Sequence, residues 1–491
     1  MPSNAKGVYT LIRGGSLLDG SGAPPLPGEL LIGDGIIADI QPPGGIAPPE
    51  GAEIVEANGH LVTPGFIDAH CHGDPVKTPA FENYTAMGVT ALCLGQDGRS
   101  PSEGTLASWA EEVHAAKPAP NLIPFVGHGT LRNHAGIGYS PDPTPEQIDK
   151  IGKLAAEAME EGYFGLTSGL EYVPGRVAPF EELRILARET GRAGRLVMSH
   201  IRSEDDQLIE DALDELVEQG RQGQCHVHVS HMKVTLGRGA VRAEELLARL
   251  DKARAEGVRV TGDIYPYNAS CTTIGILFPG WAKTREDFEK ALPARREEMA
   301  EYLRYRVGRR NGPEAVLLGA SKWKGQTLKE AAANAGKSFE DFLIDDVGPD
   351  GTYAAYFAMD EELQARLMQD PHNVFSSDGS PEWFHPRGFG TFARLIEHYV
   401  RERKLFTLED AIHRMTGATA DTIGLAGRGY LRAGHAADIL VFDPARVHEA
   451  ASYTEPHRLA EGFDWVFVNG RPIRREGKLT EERPGRVLTR T

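Results

Sequence analysis

Pro64-Gly65-Phe66-Ile67-Asp68-Ala69-His70-Cys71-His72 reads as a buried apolar strand that delivers two histidines at its end. Side chains alternate along a strand, so His70 and His72 project to one side, where two imidazoles can share a cation. Farther along, His200 follows the β-like run Leu196-Val197-Met198-Ser199, and His231 follows Val227-His228-Val229-Ser230. A lone histidine after a strand is ordinarily structural. Two of them, each closing a strand and in order behind His-x-His, point to a common site. His226 and His228 fall within the strand before His231 and are assigned to packing or to support behind the ligands. Asp378, in Ser376-Ser377-Asp378-Gly379, completes the set. By itself an Asp-Gly pair is a turn, but a carboxylate after a last strand can bind metal and carry a proton.

Strand ends meet when parallel strands close into a barrel. Short apolar or β-branched runs recur at 89–94, 121–126, 164–167, 196–199, 227–230, 258–264 and 374–376, with helical segments between them. One such helix opens at Thr144-Pro145-Glu146-Gln147, which has the spacing of a capping box with proline in the first turn. With the strand that ends at His70, the runs number eight, and strands alternating with helices predict a (β/α)8 TIM barrel whose C-terminal mouth gathers the site. The stretch 281–360 is longer and more charged than a crossover needs, and a helical insertion over the mouth is expected there. Both ends of the chain read as short strands. Leu31-Ile32-Gly33-Asp34-Gly35-Ile36-Ile37 carries the Asp-Gly signal of a hairpin, and Ala437 to Phe442 and Trp465 to Gly470 return to the same style. The expected organisation is a small β-sandwich domain built from 1–61 and 426–491 around a barrel at 62–425.

The chain has 491 residues, 41% hydrophobic and 25% charged, enough for a large core and a second domain. A formal charge of −17 argues against nucleic acid or an anionic membrane as the main partner. Four cysteines at unrelated spacings do not suggest a disulfide framework, and neither a secretory signal nor a bilayer-length apolar run is visible. A cytoplasmic protein is expected.

Further motifs run in order along the chain: Gly127-His128-Gly129-Thr130-Leu131-Arg132, Gly165-Leu166-Thr167-Ser168-Gly169-Leu170, Ser199-His200-Ile201-Arg202, Ser230-His231-Met232-Lys233, Tyr265-Pro266-Tyr267 and His385-Pro386-Arg387. With the His-x-His and Ser377-Asp378-Gly379 segments, the chain resembles the amidohydrolase superfamily and, within it, the N-acyl-D-amino-acid deacylases (D-aminoacylases). That resemblance implies zinc, one or two ions per chain, although imidazole and carboxylate ligands also suit other divalent metals. It implies hydrolysis of the amide of a small N-acyl-D-amino acid by metal-activated water, with Asp378 as general base and acid. The family carries a metal-bridging cysteine where this chain has Asp97, and Cys93 does not align with it. Related amidohydrolases place a bridging carboxylate at the end of the fourth strand, where Glu171 stands. The expected ligand sets are therefore His70, His72, Glu171 and Asp378 for one ion, and Glu171, His200 and His231 for the other. Asp97 is left as either a ligand or an acceptor behind the ligands. Lys233, Tyr265 and Arg387 match positions that hold the substrate carboxylate, and Arg387 offers the planar fork suited to it. His128 and Arg202 lie in matching motifs without an assigned role. Other readings are a cyclic-amide hydrolase of dihydroorotase or hydantoinase type, a dipeptidase, or a non-catalytic scaffold. The cyclic-amide enzymes usually show a bridging lysine, absent here, and scaffolds typically lose ligands that this chain keeps. The acyl group, the side chain and homo-oligomerisation stay open.

Overall fold

The apolar runs in the middle of the chain become strands in the computed structural model, which describes residues 9–490. They are β1 (Phe66–Asp68), β2 (Val89–Leu94), β3 (Asn121–Pro124, resuming at Val126–Gly127), β4 (Gly165–Gly169), β5 (Leu196–His200), β6 (His226–Val229), β7 (Val260–Ile264) and β8 (Asn373–Phe375). Successive strands pair in parallel. Strands such as β2, β4 and β5 are buried along their whole length, which is why they read as continuous rather than alternating apolar runs. The ring closes where its two ends meet. Cys71 bridges Gly379 in parallel, His72 N donates to Gly379 O at 2.8 Å, and Asp378 N donates to His70 O at 2.8 Å. This closure sets the first and last strand ends side by side.

The helix α1 (Pro145–Glu161) starts at its capping box, with Gln147 N donating to Thr144 Oγ1 at 3.3 Å and Thr144 N donating to Gln147 Oε1 at 2.9 Å. It stops at Gly162, whose φ of 107° suits glycine alone.

Strands from both ends of the chain build a nine-stranded sheet. Leu61–Pro64 pairs in parallel with Tyr9–Leu17 on one side and antiparallel with Ile439–Phe442 on the other, so the two termini share one ladder. Asp34 and Gly35 turn the hairpin between Leu26–Gly33 and Ile36–Gln41 with φ of 53° and 82°, the double positive φ that makes Asp-Gly a turn signal. The sheet encloses Ile12, Leu30, Val62, Ile439 and Phe467, a small β-sandwich domain beside the barrel.

The segment after β7 differs from the helical insertion expected for 281–360. Ser270–Thr273, Val316–Leu318 and Tyr353–Tyr356 form an antiparallel three-stranded sheet, which packs with α2 (Arg285–Gly308) around Phe278, Phe288, Leu303 and Phe342. These strands are three or four residues long, too short to stand out beside the charged helix.

The last described residues return to the foot of the barrel. Leu122 N donates to Arg486 O at 2.9 Å, Leu488 N to Leu122 O at 2.8 Å and Arg490 N to Gly162 O at 2.9 Å. Leu488 packs against the cluster that includes Ile67, Phe125 and Phe164.

Candidate metal centre

Barrel closure brings His70, His72, His200, His231 and Asp378 to one rim, and the loop after β2 places Asp97 between them. Asp97 Oδ1 lies 3.5 Å from His70 Nε2, 3.6 Å from His200 Nδ1 and 3.4 Å from His231 Nε2, while Oδ2 lies 3.6 Å from His72 Nε2. Asp378 Oδ1 is 3.3 Å from His72 Nε2 and 3.7 Å from His70 Nε2, and His200 Nδ1 is 3.0 Å from His231 Nε2. A tetrahedral ion with bonds of about 2.1 Å spaces its ligand atoms about 3.4 Å apart. The separations from Asp97 to all four imidazoles, and from Asp378 to His70 and His72, lie near that spacing, so Asp97 stands between His70, His72 and Asp378 and the His200–His231 pair.

The donors also behave as a set built for cations. His70 is buried, both its ring nitrogens lack a hydrogen-bond partner among the described residues, and burial pushes its pKa down to about 4. Asp97 and Asp378 are ionised against the cost of burial, Asp97 chiefly by His70, His200 and His231, and Asp378 chiefly by Arg387 and then His231. An unpartnered buried imidazole facing buried carboxylates is the chemistry of a divalent ion site. Backbone strain occurs here too: Asp97, His231 and Asp378 have φ of 54°, 36° and 46°. Such left-handed conformations cost roughly 1 kcal/mol or more each and persist where the surroundings over-determine them. At His231 the support is visible. Its N donates to Asp263 Oδ1 at 2.9 Å, and Asp263 is held by Ser376 Oγ at 2.5 Å and by His228 Nε2 at 2.9 Å. Asp68 plays the same part below β1, accepting from Ser377 N at 2.9 Å and His70 N at 3.3 Å, and burial raises its pKa to about 7.

Glu171 is placed differently from the bridging role expected of it. Its Oε2 lies 3.4 Å from His200 Nε2, the ring nitrogen opposite the one that faces Asp97, and its Oε1 lies 3.6 Å from Arg306 and from Arg310. The carboxylate between the two donor sets is Asp97, the residue sequence reasoning left open. Glu204 was missed altogether. Its Oε1 is 2.6 Å from Lys233 Nζ, 3.1 Å from His231 Nδ1 and 3.8 Å from His200 Nε2, so it meets the outward nitrogens of both histidines. Carboxylates in that position orient metal-binding imidazoles. In sequence Glu204 sits in Ser203-Glu204-Asp205-Asp206, an acidic run that reads as solvated loop.

A cavity of about 1000 Å³ opens over the cluster. Lys233 and Arg387 line it, and both lie over the ring of the buried Tyr265, with Lys233 Nζ 5.5 Å and the Arg387 guanidinium 4.9 Å from the ring centre. Arg387 Nη1 is 2.7 Å from Asp378 Oδ2, an ion pair without hydrogen-bond alignment, and Nη2 donates to Cys271 O at 3.1 Å. His128 and Arg202 are engaged elsewhere. His128 Nε2 is 2.6 Å from the buried Glu182, which also takes Arg132, while Arg202 grips Glu215 through two nitrogens and donates to the carbonyls of Arg176 and Ala178. These contacts tie the barrel loops together. The four cysteines are buried free thiols. No helix among the described residues is long and apolar enough to cross a membrane.

A model of the amidohydrolase family matches residues 328–474. The N-acyl-D-glutamate deacylase of Alcaligenes xylosoxydans xylosoxydans is 33% identical over 504 residues, covering 98% of this chain and 96% of that one. Among solved structures, an N-acyl-D-glutamate deacylase from Bordetella bronchiseptica, complexed with zinc and a phosphonate mimic of the tetrahedral intermediate, is similar with a TM-score of 0.85. It is 32% identical, over 98% of this chain and 99% of that one. A D-aminoacylase structure concerned with a binuclear metal centre has a TM-score of 0.83 at 30% identity, with 98% and 99% coverage.

Proposed function

The chain belongs to the amidohydrolase family, among its N-acyl-D-amino-acid deacylases, and on that premise we propose that the cavity hydrolyses the amide of N-acyl-D-amino acids to a carboxylic acid and a free D-amino acid. The observation that carries this reading is the single Asp97 carboxylate within 3.4–3.6 Å of four imidazoles, with Asp378 beside them. His70, His72, Asp97 and Asp378 would hold one divalent ion, and Asp97, His200 and His231 a second. When bound, zinc supplies Lewis acidity, which makes water more acidic and polarises the amide carbonyl.

The chain's own groups do the rest. Asp378 is held ionised by Arg387 and the histidines, so it can accept a proton from the attacking water. As the carbon–nitrogen bond breaks, the same carboxyl returns that proton to the leaving nitrogen. Glu204 on His231 Nδ1 and Asp263 on His231 N keep that ring turned to the site. Lys233 and Arg387 are the cations placed to hold the substrate carboxylate, both packed over the Tyr265 ring. Held at that end, the scissile amide is presented to the rim where Asp378 stands.

The test is a panel of N-acetyl-D- and N-acetyl-L-amino acids assayed for amine release by zinc-loaded protein, with hydantoin as a cyclic control assayed for ring opening to the ureido acid. Release from D substrates is expected; cleavage confined to L substrates or to the ring would overturn the reading.

A further inference from the structure

Glu171 reaches the cavity but enters neither donor set. Its Oε1 lies 3.6 Å from Nη2 of Arg306 and 3.6 Å from Nη2 of Arg310, both supplied by the insertion at and just beyond the end of α2. Lys283 stands on the same wall, with Nζ donating to the carbonyls of Gly275 at 2.8 Å and Ile276 at 3.2 Å. Arg306 Nε and Arg310 Nε have no hydrogen-bond partner among the described residues. Burial, with the charges of Arg176 and Arg306, pushes Lys283 down to about 7, which reports how closely cations crowd here. Left to themselves these groups would make an anion-binding arm.

Glu171 changes that. An entering carboxylate meets an acid already seated between the two guanidiniums, with Glu204 close behind, 3.8 Å from the same His200 Nε2 that Glu171 touches. Like charges repel more strongly in a partly dry cavity than in water. Glu204 also binds Lys233, so the arm begins beside the place assigned to the substrate carboxylate, where the side chain branches from the α-carbon.

We infer that Glu171 is a built-in counter-ion of the substrate side-chain arm: by offsetting Arg306 and Arg310 it weakens the hold on an acidic D-side chain and lets uncharged ones compete. This rests on the deacylase reading of the cavity and adds to it a determinant of specificity.

N-acetyl-D-glutamine and N-acetyl-D-glutamate match in shape and differ in charge. Glu171→Gln is expected to raise kcat/KM for glutamate relative to glutamine by about tenfold, mainly through KM for glutamate. Arg310→Leu should act in the opposite sense, raising N-acetyl-D-lysine relative to glutamine. Metal content measured on each variant separates a charge effect from a damaged centre. A Glu171→Gln protein of unchanged metal content whose ratio stays at the wild-type value overturns the inference. Calorimetric binding of free D-glutamine and D-glutamate gives the same ratio without turnover. A protein that cleaves neither amide therefore sinks the deacylase reading while the charge preference is still measured.

Discussion

At Asp97 one carboxylate touches four imidazoles, so a change there acts on both donor sets at once. Asp97→Asn keeps the shape and removes the charge that offsets the cations. Bound metal is expected to fall toward zero in elemental analysis, with activity falling in step. Asp378→Asn touches one set only. It should keep at least one ion per chain while kcat drops by about a thousandfold, the range of a lost general base. Equal metal loss in the two variants would contradict the shared position of Asp97. At this scale the sequence was readable wherever a ligand closes a strand, as His200 does, because strand periodicity and barrel topology then say where it points. Asp97 and Glu204 lie in loops, where an Asp-Gly pair and an acidic run have ordinary explanations and only the folded chain reveals the neighbours. Glu171 was misplaced for a related reason. Position after β4 put it near His200, but the choice of ring nitrogen depends on torsions that no pattern encodes.

Among the elements, the insertion contributes charge as well as cover. Lys283 has a pKa lowered from 10.5 to about 7, so the folded protein sheds a proton that the unfolded chain keeps. Below pH 7 both states are charged and the burial cost is felt in full; it fades as pH climbs from about 7 toward 10.5. Lys283→Met removes this dependence, so the variant should gain on the wild type at neutral pH and lose that advantage by pH 10. Urea unfolding at pH 7, 8.5 and 10 measures it, and a constant difference across the series would refute the assignment. The capping box of α1 and the Asp34-Gly35 hairpin were legible because each depends on a few adjacent residues with fixed backbone demands. The three-stranded sheet of the insertion was not, since its partners are separated by long segments and each strand is brief.

On the scale of the whole molecule, the barrel count was legible because eight apolar runs alternate with helices, and sheet sharing by the termini because both ends repeat one strand style. The proposed ions belong to this scale too, since their candidate ligands follow β1, β6 and β8, close β5 and lie in the loop after β2. Stripping metal with a chelator is expected to lower Tm and abolish turnover together, with zinc restoring both. A ligand at about a thousand times its Kd stabilises the folded state by about 4 kcal/mol. A chelated protein with unchanged Tm would show that the donors hold no tightly bound ion. The strip from Arg486 to Arg490, laced to Leu122 and Gly162 at the foot of the barrel, has a mechanical consequence. Pulled from its C-terminus in an optical trap, the chain would release this strip from Leu122 and Gly162 before any barrel strand came apart. A handle grafted there would thus record a soft first rupture, and the ring itself would give way only afterwards.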